Sequence, residues 1–291
     1  LRSDVKSMSS SNPISTASSL PFRVVDRWGK KVTGIIDYTI QVLLMVYLSV
    51  RAAFIDQAQG MRDIVRVVSM QIYFTGYQAM PLITVLALAT GSVVIMQSSA
   101  QLSFLGGSDM LGKLMLIIIV REVGPLLTAL VVIARSGTAV ASELGNMQVN
   151  KEVTALESMG INPLSYIVFP RLAGGVISVI CLAFYFSVIA LIGGFFVSRL
   201  AHDMSFAHYT FTLASSFEMN DVVMFLLKNT FSGVIIFTVC CYQGLLVQKS
   251  PHEVPQATTK AVVNSIIYVI GFNLIVTTLF YLKNLMDLGV V

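Results

Sequence analysis

Apolar stretches of about 20 residues or more recur along this chain, and they constrain its fold more than any motif does. Runs at about 79–98, 114–134, 172–198, 222–247 and 261–282 are long enough to cross a bilayer as helices. Hydrophobic residues make up 55% of the 291, and charged ones 12%. A soluble domain carries roughly 45–50% and about 25%. The mean hydropathy of +0.80 agrees. An all-α integral membrane protein follows, and a soluble enzyme is excluded.

Upstream of the first span, 34–55 is also apolar but carries Asp37 and Arg51, with Arg23, Arg27, Lys30 and Lys31 just before it. Together with Trp28, Tyr38 and Tyr47, these predict a helix over about 23–60 that lies in the membrane interface. A sixth span is the competing reading. Residues 1–22 hold eight serines and no long apolar run, so they read as a solvated tail rather than a secretory signal. An organelle transit remnant is the alternative there, and 23–291 form the membrane domain.

The net charge of +4 matters less than its placement. With an N-terminus inside and five alternating spans, 14 of the 19 Lys and Arg fall on the cytoplasmic side. The loop 199–221 then lies outside, with Arg199 against Asp203, Glu218 and Asp221. Such a charge pattern implies membrane topology and no nucleic-acid partner. Cys181, Cys240 and Cys241 all fall in apolar stretches without a CxxC spacing, so they read as buried thiols.

The informative segment is 121–171. Arg121 and Glu122 sit deep in an apolar span, where each charge costs on the order of 2.5–3.5 kcal/mol and needs a partner or a wet cavity. A substrate path and a structural interhelical ion pair both satisfy that need. Neighbours on a helix diverge by about 100°, so at least one of the two must reach another helix. Small residues follow from Gly124 to Ser142, suited to close helix packing within one subunit or across a homodimer seam. A short amphipathic helix comes next: Asn150 as its cap, Lys151 to Met159 as its body, Gly160 past its end and Pro163 as a stop. Its apolar stripe of Val149, Val153 and Leu156 suits either a lipid surface or a groove on a partner. Pro170 and Arg171 then open the next span.

These residues resemble a known family, the MlaE (YrbE-like) permeases of ABC lipid transporters. The signatures are Gly91 with Gln97-Ser98, Arg121-Glu122-Val123-Gly124-Pro125, Ala134-Arg135-Ser136-Gly137 and Glu143-Leu144-Gly145-Asn146-Met147. They continue through Glu152, Ala155-Leu156-Glu157, Met159-Gly160 and Pro170-Arg171 to Ala257-Thr258-Thr259-Lys260-Ala261. One departure is Phe272-Asn273, where many members carry Asp after the apolar residue. The resemblance implies an interfacial helix plus five spans, with a cytoplasmic coupling helix between spans 2 and 3. It implies a homodimer with a cytoplasmic ABC ATPase dimer docked on about 143–160, through Glu143, Gly145, Met147, Glu152, Val153, Leu156 and Met159. It also implies a periplasmic MCE-domain protein, in some members a STAS-domain subunit, and a phospholipid or related lipid as substrate.

Other candidates carry less. Gly107 to Lys113 spells GxxxxGK, but Leu114 stands where a phosphate-binding loop needs Ser or Thr. ATP hydrolysis therefore belongs to a partner chain. His202, His208 and His252 have no metal-binding spacing, and no arrangement suggests covalent catalysis, so neither metal nor cofactor is expected. Met96 and Gln97 are candidates for a lipid path. The expected function is a non-enzymatic permease subunit in a bacterial inner membrane, with a plastid inner envelope as the second location. The alternative is an ion-coupled carrier or channel that uses Arg121 and Glu122 itself.

Overall fold

A computed structural model describes residues 20–55, 61–105, 111–202, 205–248 and 250–287. Of the tail read at 1–22, residues 1–19 lie outside the described residues and 20–22 belong to the first helix; 107–110 of the GxxxxGK stretch and the side chains of His202 and His208 also lie outside. Among the described residues all regular structure is helical, as a chain without backbone partners in hydrocarbon requires. The protein is an all-α integral membrane protein, with six helical stretches among the described residues long and apolar enough to cross a bilayer.

Helix α1 (Leu20–Ile55) contains the division between two units, one running to Leu44 and the other from Met45 to Val291. It includes 36–53, the sixth stretch of spanning length and composition. The second unit holds α2 (Met61–Thr75), α3 (Met80–Leu105), α4 (111–149) and the short α5 (Glu152–Ser158). It continues with α6 (164–202), α7 (Phe206–Ser216), α8 (Met219–Leu245) and α9 (Glu253–Asp287).

Two of these elements were not expected. Helix α2 carries Arg62, Asp63 and Arg66, which hid it from a hydropathy reading, yet it packs along α6. Helix α7 lies in the stretch expected to be an external loop, and at 11 residues it is too short to span. Its Tyr209 donates to the Leu191 carbonyl at 2.9 Å, and burial pushes the phenol well above its ordinary pKa.

The core lies where α3, α4, α6 and α8 meet, around Ile83, Ile95, Ile119, Ile133, Phe186 and Phe237. Small residues set the spacing. At Gly91 an added Cβ would run into the backbone of Ala190, so α3 and α6 cross with nothing between their main chains. Along α4 the glycines face different neighbours: Gly124 meets Phe186 and Ser187 of α6, Gly137 meets Cys240 of α8, and Gly145 meets Val254 of α9 and Val247 just past α8. Packing within the subunit accounts for these positions. Cys240 and Cys241 are buried as expected, whereas Cys181 is exposed, because it falls on the outward side of α6.

Helix α4 is one rod with two π-helical segments, Leu116–Val123 and Ile133–Gly137. Such widened turns insert a residue into the ladder and are frequent at functional sites. The first contains Arg121 and Glu122.

The ends of α5 correct the sequence reading. Lys151, with φ 59°, occupies the N-cap in a left-handed conformation, and the helix starts at Glu152. Asn150 closes α4 instead, and its side chain donates to Glu152 Oε1 at 3.2 Å. The other end is as expected: Gly160 takes φ 77°, its N–H bonds the Glu157 carbonyl, and the Ile161 N–H bonds that of Leu156. That pair of bonds is a Schellman motif, which needs a residue free to be left-handed. Helix α6 begins at 164 rather than at Pro170, with Pro163 at its N-cap and Asn162 Oδ1 accepting from the Leu164 N–H at 3.0 Å just before it.

Candidate functional site

Pro125 interrupts the middle of an apolar rod, and the site grows from that interruption. Proline has no N–H to give the carbonyl four residues earlier, which is that of Arg121. Lys228 of α8 supplies the missing donor, its Nζ lying 2.7 Å from the Arg121 oxygen. The same ammonium donates to Glu122 Oε1 at 2.9 Å. Thr277 of α9 donates to the Glu122 carboxylate at 3.1–3.2 Å.

Arg121 points elsewhere, as adjacent helical positions must. Its Nε pairs with Asp221 in the first turn of α8, and its guanidinium lies over the Phe280 ring, 5.3 Å from the centroid. Asp221 also accepts from the Glu218 N–H at 3.0 Å, closing a capping box at the start of α8. Two cations and two anions from α4 and α8 thus compensate one another, with α9 supplying a hydroxyl and a ring. Arg121, Asp221 and Lys228 are buried, while the Glu122 side chain keeps 37% of its surface exposed. Paired and hydrogen-bonded charges are the arrangement a membrane interior tolerates.

Asp221 and Lys228 were not singled out in the sequence. Asp221 read as a loop acid, because the start of α8 is not marked by hydropathy. Lys228 had a usable signal: it is an isolated cation inside the run 222–247. Nearby, Asn273 donates to Ser232 Oγ at 3.2 Å and to the Val269 carbonyl, so the amide at the departure from the family pattern is held inside the bundle. An apolar cavity of about 400 Å³ lies on the other side of Asp221, between α4, α6, α7 and α8.

The remaining candidate positions scatter. Met96 and Gln97 are exposed on α3 and join neither the ionic cluster nor that cavity. Glu143 pairs with Arg171 of α6 at 2.7 Å and stays exposed. Gly145 is interior and Met147 half-buried. Val153 is buried at 5% exposure and Leu156 packs against the core, so these two fasten α5 to its own bundle. Glu152 and Met159 are exposed, Met159 at 66%.

Comparison with known proteins fits this arrangement. Residues 68–279 match the family model described as Permease MlaE. The chain belongs to the MlaE permease family. A probable ABC transporter permease protein of Rickettsia prowazekii is 31% identical over 211 residues, covering 72% of this chain and 82% of the relative. The intermembrane phospholipid transport system permease protein MlaE of Haemophilus influenzae is 27% identical, over 72% and 81% of the two chains. A probable ABC transporter permease protein of Synechocystis is 26% identical, over 72% and 80%. As an MlaE-family permease of the ABC transporter class, the chain holds all four charges of the cluster within the matched region.

Proposed function

We propose that this permease moves phospholipid, or a related lipid, between an inner membrane and a periplasmic MCE-type carrier. The observation that carries the reading is the match along 68–279, together with a relative named for intermembrane phospholipid transport. Two copies of the chain form the channel. A cytoplasmic ABC ATPase dimer docks on the end that bears α5, and the MCE protein meets the end that bears α7. The N-terminus is cytoplasmic and the C-terminus periplasmic, as the distribution of Lys and Arg favours. Helix α1 lies along the interface, and a STAS-domain subunit binds the ATPase where one is present.

The exposed side of α5 supports the docking: Glu152, Ala155 and Met159 are turned outward while Val153 holds the helix down. ATP-driven closure of the partner presses on this surface, and the α4–α8–α9 cluster holds the rods in register as the lipid cavity between subunits opens or collapses. Nothing in this cycle asks the permease for a covalent step.

Reconstitution tests the proposal. The chain, its ATPase and its MCE protein in liposomes should transfer fluorescent phospholipid only with hydrolysable ATP. Transfer by the chain alone that follows an ion gradient would establish the ion-coupled carrier and overturn this reading.

A further inference from the structure

A second cavity, of about 410 Å³, lies between the C-terminal end of α2 and the π-helical turn of α4 at Ile133–Gly137. Arg135 lines it, half-buried, with its Nη1 donating to the Phe74 carbonyl at 3.1 Å and its Nη2 to Gln78 Oε1 at 2.8 Å. Both acceptors are neutral, and among the described residues no carboxylate pairs with it. Ser136 lines the same cavity at 7% exposure, and its hydroxyl has no hydrogen-bond partner among the described residues. Gln71 adds a further polar group to the wall. Glu143, at the far edge, has its charge met by Arg171 at 2.7 Å. The uncompensated charge in the cavity is therefore positive.

We propose that this cavity holds the phosphate group of a membrane phospholipid, with the Arg135 guanidinium as its cation. A planar guanidinium with free edges suits phosphate oxygens, and bonds in which both partners are charged are the strong ones. The ligand is a lipid rather than free phosphate because of what surrounds the cavity. Tyr73 of α2 and Tyr77 of the turn that follows it stack at 5.4 Å, both more than half exposed, and Met70 and Phe74 are exposed beside them. An exposed aromatic and apolar surface next to a basic pocket marks the headgroup level of a bilayer. Phe74 and Val140 give the cavity an apolar wall for the glycerol and the upper acyl chains. The site lies apart from the ionic cluster and rests on membrane embedding alone, so it stands or falls separately from the transport reading.

Calorimetric titration of the full-length chain in detergent tests the assignment, with dioctanoyl phosphatidylglycerol, dioctanoylglycerol and sodium phosphate as probes. The phospholipid should saturate a site that dioctanoylglycerol and inorganic phosphate fill at least about tenfold more weakly. Arg135→Gln should weaken phospholipid binding by a similar factor. Gln78→Glu keeps the acceptor at 2.8 Å but neutralises the guanidinium, and it should do the same even where Arg135→Gln fails to fold. Equal binding of dioctanoylglycerol, or phospholipid binding unchanged in the variants that fold, overturns the proposal. Inorganic phosphate binding as tightly as phospholipid overturns the lipid assignment in favour of a free anion.

Discussion

Lys228 reaches across from α8 to donate to the Arg121 carbonyl at 2.7 Å, an acceptor that Pro125 leaves without its helical donor. One ammonium thus repairs a backbone defect and neutralises Glu122 at once. Removing it leaves the Arg121 carbonyl without a donor and Glu122 without its cation, with only the Thr277 hydroxyl still bonded to the carboxylate.

Lys228→Met should therefore cost about 3 kcal/mol, the lower end of the range for a broken buried pair, because Glu122 stays partly exposed. Thermal unfolding in detergent should show a lower midpoint. Adding Glu122→Gln should recover some of the loss, since the orphaned charge is gone while the Arg121 carbonyl still lacks its donor. A double variant no better than the single one would contradict the pairing.

Asp221 has two separable duties, the partner of Arg121 and the N3 member of the capping box whose N-cap is Glu218. Asp221→Asn keeps an acceptor for the Glu218 N–H, whereas Asp221→Ala loses it. The alanine variant should be less stable by a further ~1 kcal/mol, the worth of the lost hydrogen bond to the Glu218 N–H. Equal unfolding midpoints for the two variants would show that the cap contributes nothing.

Met159 and Val153 should separate docking from folding. Met159→Asp places a charge on an exposed position and should abolish copurification of the ATPase without moving the unfolding midpoint. Val153→Asp buries a carboxylate at a position 5% exposed, and the protein itself should be destabilised by several kcal/mol, about 3 or more. Loss of the ATPase with Val153→Asp alone would place the docking surface elsewhere.

Glycine positions give a control on packing. At Gly271 an added Cβ meets nothing within 4 Å, so Gly271→Ala should be neutral or stabilising by up to about 1 kcal/mol through helix propensity. Gly91→Ala must push the touching backbones apart and should lower the unfolding midpoint clearly. Similar midpoints for the two variants would argue against the close crossing of α3 and α6.

The spanning rods were legible because hydropathy reads long apolar runs directly, and the cost of an intramembrane charge flagged Arg121 and Glu122. Their partners were less legible. Asp221 sits 100 residues away in sequence, at a helix start that hydropathy does not mark, and pairing at that distance is a tertiary fact. Helices α2 and α7 escaped for opposite reasons, one too charged and the other too short. The short helix before α6 was placed to within a residue or two, but the left-handed turn fell on Lys151, where no sequence preference points to it.

The crossing at Gly91 also has a mechanical side. Rods whose main chains touch cannot ratchet past one another, because a slip of one residue would set Thr90 or Ser92 against Ala190. Helices α3 and α6 must then travel as a single plank. Whatever sliding this permease performs falls to its other seams, where side chains rather than backbones form the bearing.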